Sequence, residues 1–542
     1  MKKANKILPI IAASMMMWGC AEKSDISTPS DSTPPSTEAV TEEATEETKS
    51  EAGNGIALIS IETINKAENV MDFVEKPVAS HVSAQIATWT PNYEMPPAPY
   101  YEECLVTVTD KENNITIENA SAQVKVRGNW TTTYDKKPLR IKFVERRNIL
   151  GLNDGAEMKN WVLLAEYKDG SMLRDKAALA IANELLAEDG LYASDAEFAE
   201  VVINGEYWGV YLLAEQQQIN PDRINITEPA TVDYAGTDIG YFMEFDGYFY
   251  TEPELQMFHV DYADNAPLVP YDGEGGNDRT MTCLPESKSD YRSDIGFTIK
   301  NDIYSQEQHD FISSFVNNTY KIMYEAAYND AAYVFSDDYS EILPTSDITP
   351  QEAVERVVNV ESLADIYILN EIACDADVYW SSFFMTADFG ENGDKKLTFN
   401  APWDFDSAMG NKDRCADSTG LYAANIVPDV NGDYETINPW LAVLMYEDWY
   451  TDIIRENWSE LYNSGALTDV CDMIKSDTEE YSEAFKRNYK RWNNIIKNDS
   501  FVAELSKRAK KCRTHSDASE YLYDWLTKRV EYLNEHWHNT NK

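Results

Sequence analysis

The sequence predicts an α+β fold, strand-rich in its first half and helical in its second. Three observations predict it. Residues 105–109, 122–127 and 139–143 alternate apolar and polar side chains, the two-residue period of strands that bury one face. Residues 198–203 and 207–213 bracket Asn204-Gly205, a pair suited to the left-handed backbone of a two-residue hairpin turn. Beyond Ile303 the period lengthens to that of a helix over 449–462, 479–495 and 522–537, with Leu522, Leu526, Val530, Leu533 and Trp537 on one stripe.

Taken in order, the chain begins with an export signal over 1–20. Lys2 and Lys3 provide a positive start, 7–18 form an apolar run too short to span a bilayer, and Gly19-Cys20 provides a cleavage point. Cys20 is the candidate lipidation site, so the expected location is outside the cell, anchored in the membrane or secreted. Residues 21–54 are Ser, Thr, Pro and Glu with few large apolar side chains, a composition that cannot offset chain entropy by burial; they read as a tether. Residues 55–99 form a weakly patterned lead-in that ends in the Pro-rich stretch from Met95, and the main domain is expected over 100–540.

Composition limits the partners. Of 542 residues 43% are hydrophobic and 12% aromatic, enough for a sizeable core, and the formal net charge is −48. Such a field repels phosphates, which excludes nucleic acid and an anionic membrane face as partners and requires any phosphate site to build its own positive patch. The strand pattern offers one: Lys125 and Arg127 share a face, and so do Arg140 and Lys142, with the Arg127-Gly128-Asn129 turn between them presenting backbone N–H groups. On residue type alone, such charges are more often the solvated face of a strand. Helix signals begin near Ser171, and Arg174 and Lys176 lie at its start.

Two acidic motifs carry the metal chemistry. Asp404 and Asp406, spaced i, i+2, would fall on one face of an extended segment, and hard divalent cations collect oxygen ligands in this way. Upstream, Asp375 and Asp377 follow an apparent helix end and precede an apolar strand that contains Ser382 at its start. Residues 429–433 resemble the start of a calcium loop, but Tyr434 and Trp440 replace its required glycine and glutamate, so an ordinary turn is expected. Besides Cys20, six cysteines (Cys104, Cys283, Cys374, Cys415, Cys471, Cys512) show no zinc spacing. A Cys374–Cys415 disulfide is conceivable and plain thiols are the expectation. Six histidines form no cluster, and Gly-x-Ser-x-Gly and HExxH motifs are lacking.

These blocks carry a resemblance. Val124-Lys-Val-Arg-Gly-Asn-Trp with Lys136-Lys-Pro-Leu-Arg-Ile-Lys-Phe, Asn160 to Glu166, Met172 to Lys176, Asn204 to Glu215, Gly240 to Asp246, the two acidic motifs and Trp525 to Leu533 together resemble the CotH kinase family, atypical kinases related to spore-coat protein CotH. The resemblance implies a two-lobed kinase-like body that uses ATP and Mg²⁺ to phosphorylate protein Ser/Thr at the cell surface. It implies Asp377 as the catalytic aspartate that would accept or orient the attacking hydroxyl's proton, Asp404 as the Mg²⁺ ligand and Asp406 as a second ligand or orienting group. Ser382 stands where many kinase-like proteins place a metal-binding asparagine, and serine is a poorer ligand. Lys142 resembles the nucleotide-binding lysine, with Lys136 and Lys137 as rivals, while Glu166, Glu184 and Glu215 are candidates for its acid partner. Arg127 and Arg174 would reach phosphates, and Glu215 would lie near the nucleotide. Two other classes stay open: a non-catalytic surface module binding glycan or protein through its 13 Trp and 33 Tyr, and, ranked last, a two-carboxylate glycosidase.

Overall fold

Seven strands in the first 215 residues close on themselves. In the computed structural model, which describes residues 52–273, 278–282, 295–413, 416–428, 435–493 and 504–538, these are β1 (Ala57–Thr63), β2 (Glu102–Thr109), β3 (Ile115–Val126), β4 (Leu139–Arg147), β5 (Met158–Leu164), β6 (Ala196–Ile203) and β7 (Glu206–Glu215). The barrel order is β1-β2-β3-β4-β5-β7-β6, closed by β1 running antiparallel to β2 and parallel to β6. Closure leaves no open edge. The export signal with Cys20, the tether as far as Glu51, Cys283, Cys415 and the 429–433 turn lie outside the described residues.

The alternation in the sequence is the barrel's inside and outside. Ile59, Ile61, Val106, Val124, Val126, Leu139, Ile141, Leu163, Val201 and Leu213 point inward and are buried together. The outer faces differ. Over β3 and β4 the outward residues are Lys125, Arg140 and Lys142, with Lys125 directly opposite Arg140. Over β5 and β7 they are Val162, Leu164, Val210, Leu212 and Ala214, which join the core of the rest of the molecule. The residues expected as a lead-in contribute β1 to this barrel, so the folded body starts well before residue 100. At the β6–β7 hairpin Asn204 (φ 50°) and Gly205 (φ 76°) adopt the paired left-handed turn that their identities predict.

A second, five-stranded sheet follows. It consists of β8 (Gly240–Asp246), β9 (Met257–Phe258), β10 (Gly296–Ile299), β11 (Phe383–Asp388) and β12 (Leu397–Phe399) in the order β12-β11-β8-β10-β9, antiparallel throughout. The longer helices are α1 (Ser80–Trp89), α2 (Arg174–Ala187), α3 (Gln306–Asn329), α4 (Val360–Ala373), α5 (Asp448–Ser464), α6 (Ala466–Glu480), α7 (Ser482–Arg491) and α8 (His515–Trp537). The α+β class is therefore as expected, and the strands of the first half close into a barrel. Among the described residues no helix is long and apolar enough to cross a membrane.

Helix boundaries depart from the sequence pattern for local reasons. Although signals start at Ser171, α2 begins at Arg174, because the Asp169 carboxylate accepts the N–H groups of Ser171, Leu173 and Arg174 and holds Met172 at φ +59°. The helix expected over 479–495 is broken at Tyr481 between α6 and α7. The α8 stripe is buried as anticipated, apart from Val530, which is partly buried.

Buried ion pairs fasten the barrel to the helices. Glu200 on β6 accepts two bonds from Arg487 on α7 (2.8 and 3.0 Å), and Lys176 on α2 binds Glu197 and Asp477. On α4, Glu371 is bridged by Arg529 of α8 at 2.7 Å, with both side chains fully buried. Removing one partner of such a pair strands a charge in low dielectric. Arg529→Met should therefore destabilise the protein by about 3–5 kcal/mol and lower the melting temperature far more than a substitution at exposed Arg513; similar melting curves for the two would show that the pair contributes little.

Candidate active site

The helix α4 ends at Cys374 (φ +44°), and the chain then turns sharply through Asp375, Asp377 and Ser382 (φ +61°) into β11. After the β11–β12 hairpin it re-enters the interior as the loop 401–410. Ala401, Asp404 and Met409 all take positive φ there, at 54°, 73° and 45°. Asp404 and Asp406 thus occupy a strained loop and do not share one face of an extended segment as the i, i+2 spacing suggested. Left-handed non-glycine residues cost roughly 1–3 kcal/mol each and survive where surrounding contacts over-determine them. Those contacts are visible: the Asp175 carboxylate accepts the Phe405 N–H (2.6 Å), and Arg174 donates to the Ala408 and Met409 carbonyls.

The two acidic motifs come together as expected. Ser382 Oγ donates to Asp404 Oδ2 at 3.4 Å, and its N–H donates to Glu244 at 3.0 Å. Three neighbouring carboxylates have a lysine partner. Lys168 lies 2.8 Å from Asp406, with side-chain exposures of 9% and 10%, and Lys412 lies 2.9 Å from Asp377. Lys300 pairs with Glu244. Asp375 accepts the Asp377 N–H (3.1 Å), which fixes the catalytic candidate's backbone.

Carboxylates outnumber cations here, and the protonation equilibria show it. Burial, followed by the charges of Asp406 and Asp377, pushes Asp404 up to about 7, against the pull of Lys168 and Arg127. Burial, with Asp406 and Asp404, also raises Asp175 to about 7, and its hydrogen-bonded neighbour Glu166 is held well above the ordinary carboxylate range. Asp375 is raised by burial and by Asp377. Burial alone would lower the Lys168 ammonium's pKa, but Asp406 and the acids behind it hold it well above its usual value. This interior is short of positive charge.

The cationic face of β3 and β4 borders the same space. Burial lowers the Arg127 pKa and the charges of Asp404, Asp175 and Glu244 offset that; its guanidinium lies 5.6 Å from the Trp403 ring. Arg127 has no carboxylate within 4 Å among the described residues, and the buried Nε of Arg140 has no hydrogen-bond partner. Lys125 is depressed by burial and by Arg140, Arg127 and Lys142. Four like charges on one face, with an orphaned donor, are chemically suited to an anion.

Several sequence candidates fall elsewhere. Lys142 is exposed on the outer face of β4 and forms no ion pair with Glu166, Glu184 or Glu215. Lys137 is buried, donates to the Thr132 and Tyr134 carbonyls and is pushed down to about 8, so it closes its own turn and is not directed at a phosphate. Lys136 is likewise consumed by the Ala165 and Val210 carbonyls and pushed down to about 7 by burial. Glu215 is committed to Arg223 (2.8 Å) and Asn153 (2.9 Å), a structural pair at the end of β7. Arg174, with its guanidinium bound to Asp169 and the 401–410 loop, positions that loop and is unavailable to phosphate. Glu184 is exposed. The lysines that do face the acids, Lys168 and Lys412, were not anticipated. Their one sequence signal is position: Lys168 precedes the Asp169-Gly170 turn into α2, and Lys412 follows Gly410 by two residues.

For magnesium, the available donors are Asp404, with Ser382 and Asp377 nearby. Among the described residues no three His, Cys, Asp or Glu side chains are grouped to hold a metal unaided. That fits Mg²⁺, which keeps several waters and commonly takes one or two carboxylates together with substrate phosphates. The uncompensated charge around Asp404 is the observation in its favour.

The architecture defines a class: an α+β protein with a closed barrel whose cationic outer face borders a buried, strained, acidic loop. The chain belongs to the CotH kinase family, whose model, described as CotH kinase protein, matches residues 124–533. Among proteins of curated function none matches the sequence. Family membership suggests a kinase-like function.

The raised acids set a pH dependence. Asp175, Asp404 and Asp365, the last buried on α4, all have folded pKa values of about 7 against 3.8 for the free side chain, so the folded state binds more protons in between. Their stabilisation is present below pH about 4 and is lost as pH rises through about 7. Chemical denaturation should therefore show stability falling across that window, and Asp365→Asn, distant from the 401–410 loop in sequence and hydrogen-bonded to Asn457, should flatten the slope. An unchanged slope would mean that Asp365 titrates normally.

Proposed function

We propose that this protein transfers the γ-phosphoryl group of ATP, with Mg²⁺, to Ser or Thr hydroxyls of proteins at the cell surface. The barrel with the cationic face and the helix-rich remainder are then the two kinase-like lobes. The observation that carries the reading is the convergence of Asp377, Asp404 and Ser382 from separate motifs with Arg127 across from them.

In this reading Asp404 would hold the metal, assisted by Ser382, and magnesium would supply charge neutralisation for the phosphates. Arg127, Arg140 and Lys125 would receive the phosphate oxygens. Asp377 accepts the acceptor hydroxyl's proton, and Lys412, 2.9 Å away, holds its carboxylate in place. Lys168 replaces Lys142 as the buried lysine of the site; paired with Asp406, it holds that carboxylate in place. Export through residues 1–20 and anchoring at Cys20 would place the site outside the membrane, with a protein as substrate. A non-catalytic surface module is the rival, and it requires none of these charges to converge.

Thermal shift with ATP and Mg²⁺ tests the reading. At a hundredfold the dissociation constant, a ligand specific for the folded state adds about 2.7 kcal/mol. The shift should need both ATP and Mg²⁺ and vanish in Asp404→Ala. Arg127→Met should weaken ATP binding by at least about tenfold, whereas Lys137→Met should lower stability and leave affinity alone. Asp377→Asn should still bind nucleotide and lose phosphate transfer to a generic protein acceptor. No shift at millimolar nucleotide in the parent protein would leave the surface module as the better account.

A further inference from the structure

In a chain with 94 acidic and 46 basic residues, a segment near the C-terminus reverses the balance: Lys507, Arg508, Lys510, Lys511 and Arg513 lie within seven residues. Lys507, Arg508, Lys511 and Arg513 are exposed, and among the described residues their side chains form no ion pair, although the Arg513 backbone N–H donates to the Asp517 carboxylate. The segment is built into the edge of the site. Leu505 bridges Lys412, the residue that holds Asp377, and the Ser506 N–H donates to the Asn411 carbonyl at 2.7 Å. Arg508 lies 5.7 Å from the Tyr521 ring, whose hydroxyl donates to the Gly410 carbonyl at the end of the acidic loop. Two or three residues of chain span at most about 10 Å, so this positive strip starts beside Asp377.

The opposite composition lies at the other end of the chain. Residues 36–51 carry Glu38, Glu42, Glu43, Glu46, Glu47 and Glu51 interleaved with Thr37, Thr41, Thr45 and Thr48. They join the body at a defined point, since the Gly53 N–H donates to Glu200 (2.6 Å) and Glu200 also binds Arg487 on α7. On the same helix Phe485 stacks on His515 (3.8 Å), which opens α8 two residues after Arg513. The tether therefore leaves the body a few side-chain contacts from the basic strip. Thr45 is eight residues from Gly53, a reach of up to about 28 Å.

We propose that the strip Lys507–Arg513 docks acidic, hydroxyl-bearing peptide, that its resident occupant is the chain's own 36–51 segment, and that docking presents its threonines to Asp377. The transfer step rests on the function proposed above. There the threonine Oγ bonds to the γ-phosphorus of the nucleoside triphosphate as the bond from that phosphorus to the β,γ-bridging oxygen breaks. The hydroxyl proton passes to Asp377 and on to water, and nucleoside diphosphate leaves. Charge complementarity supplies both selection and register, because the body's net charge is strongly negative while this strip, beside Asp377, is positive.

Binding is read first and needs no nucleotide. A labelled 36–51 peptide is titrated into full-length chain whose Glu38, Glu42, Glu43, Glu46 and Glu47 are all changed to Gln, so that the strip is open. Anisotropy should report binding that weakens with salt and falls by about tenfold or more in Lys507→Glu/Arg508→Glu/Lys511→Glu, while the unaltered tether should compete in cis and reduce it. Circular dichroism melts of the reversed variant should match the parent, since all three side chains are exposed. Equal binding by the reversed variant, or equal affinity for vesicles of anionic phosphatidylglycerol, would overturn the proposal. With ATP and Mg²⁺, mass spectrometry should find phosphate on Thr37, Thr41, Thr45 or Thr48 in the parent and lose it in the reversed variant, which still modifies a generic acceptor. Phosphate on that acceptor with none on the parent's tether would refute delivery and leave the kinase reading intact. Strip-dependent peptide binding with no transfer to any acceptor would establish docking and sink the kinase reading.

Discussion

Everything in the second half of this molecule answers to one constraint, the burial of Asp404 and Asp406 on a loop the backbone resists. Carboxylates out of water must be protonated, paired or bound to cations. Asp406 is paired with Lys168, and Asp404 has no ion pair among the described residues and is pushed up to about 7. The loop keeps its left-handed turns because Asp175 and Arg174 hold it from one end of a single helix. That helix in turn begins where it does because Asp169 caps it and binds Arg174. A chain of buried polar contacts thus runs from the cap of α2 to the acid that would take a metal.

The barrel contributes by asymmetry. Its inside is uniformly apolar, whereas its outside changes character between neighbouring strands, cationic over β3 and β4 and apolar over β5 and β7. The apolar sector packs into the larger core, which brings the cationic sector up against the acidic loop. Glu200–Arg487 and Glu197–Lys176 hold that arrangement. Arg127 is thereby close enough to Asp404 for their charges to act on each other.

Much was legible because its determinants are local. The alternation in β2, β3 and β4, the Asn204-Gly205 turn and the α8 stripe each express a period or a backbone preference that a few residues carry. The shared face of Lys125, Arg127, Arg140 and Lys142 followed from strand parity alone. The approach of Ser382 to Asp404 was recoverable from the family's motif order. By contrast β1 was nearly silent, because a strand that closes a barrel is recognisable only by its partners. Lys168 and Lys412 were missed because each is a single cation in a turn, and nothing near it in sequence names Asp406 or Asp377 as its mate.

Local chemistry written in the sequence determined the α+β class, the strand and helix periods, the family and the two acidic motifs, since each depends on residues within a few positions. Which lysine meets which carboxylate, which cations are consumed by carbonyls and which stay open, and the left-handed path of the 401–410 loop were decided only in the tertiary structure. Those outcomes depend on burial and on charges hundreds of residues apart, as when Lys137 is taken by its own turn while Lys168 is driven onto Asp406. Electrostatic energy is set by distance and dielectric, and neither exists until the chain has folded.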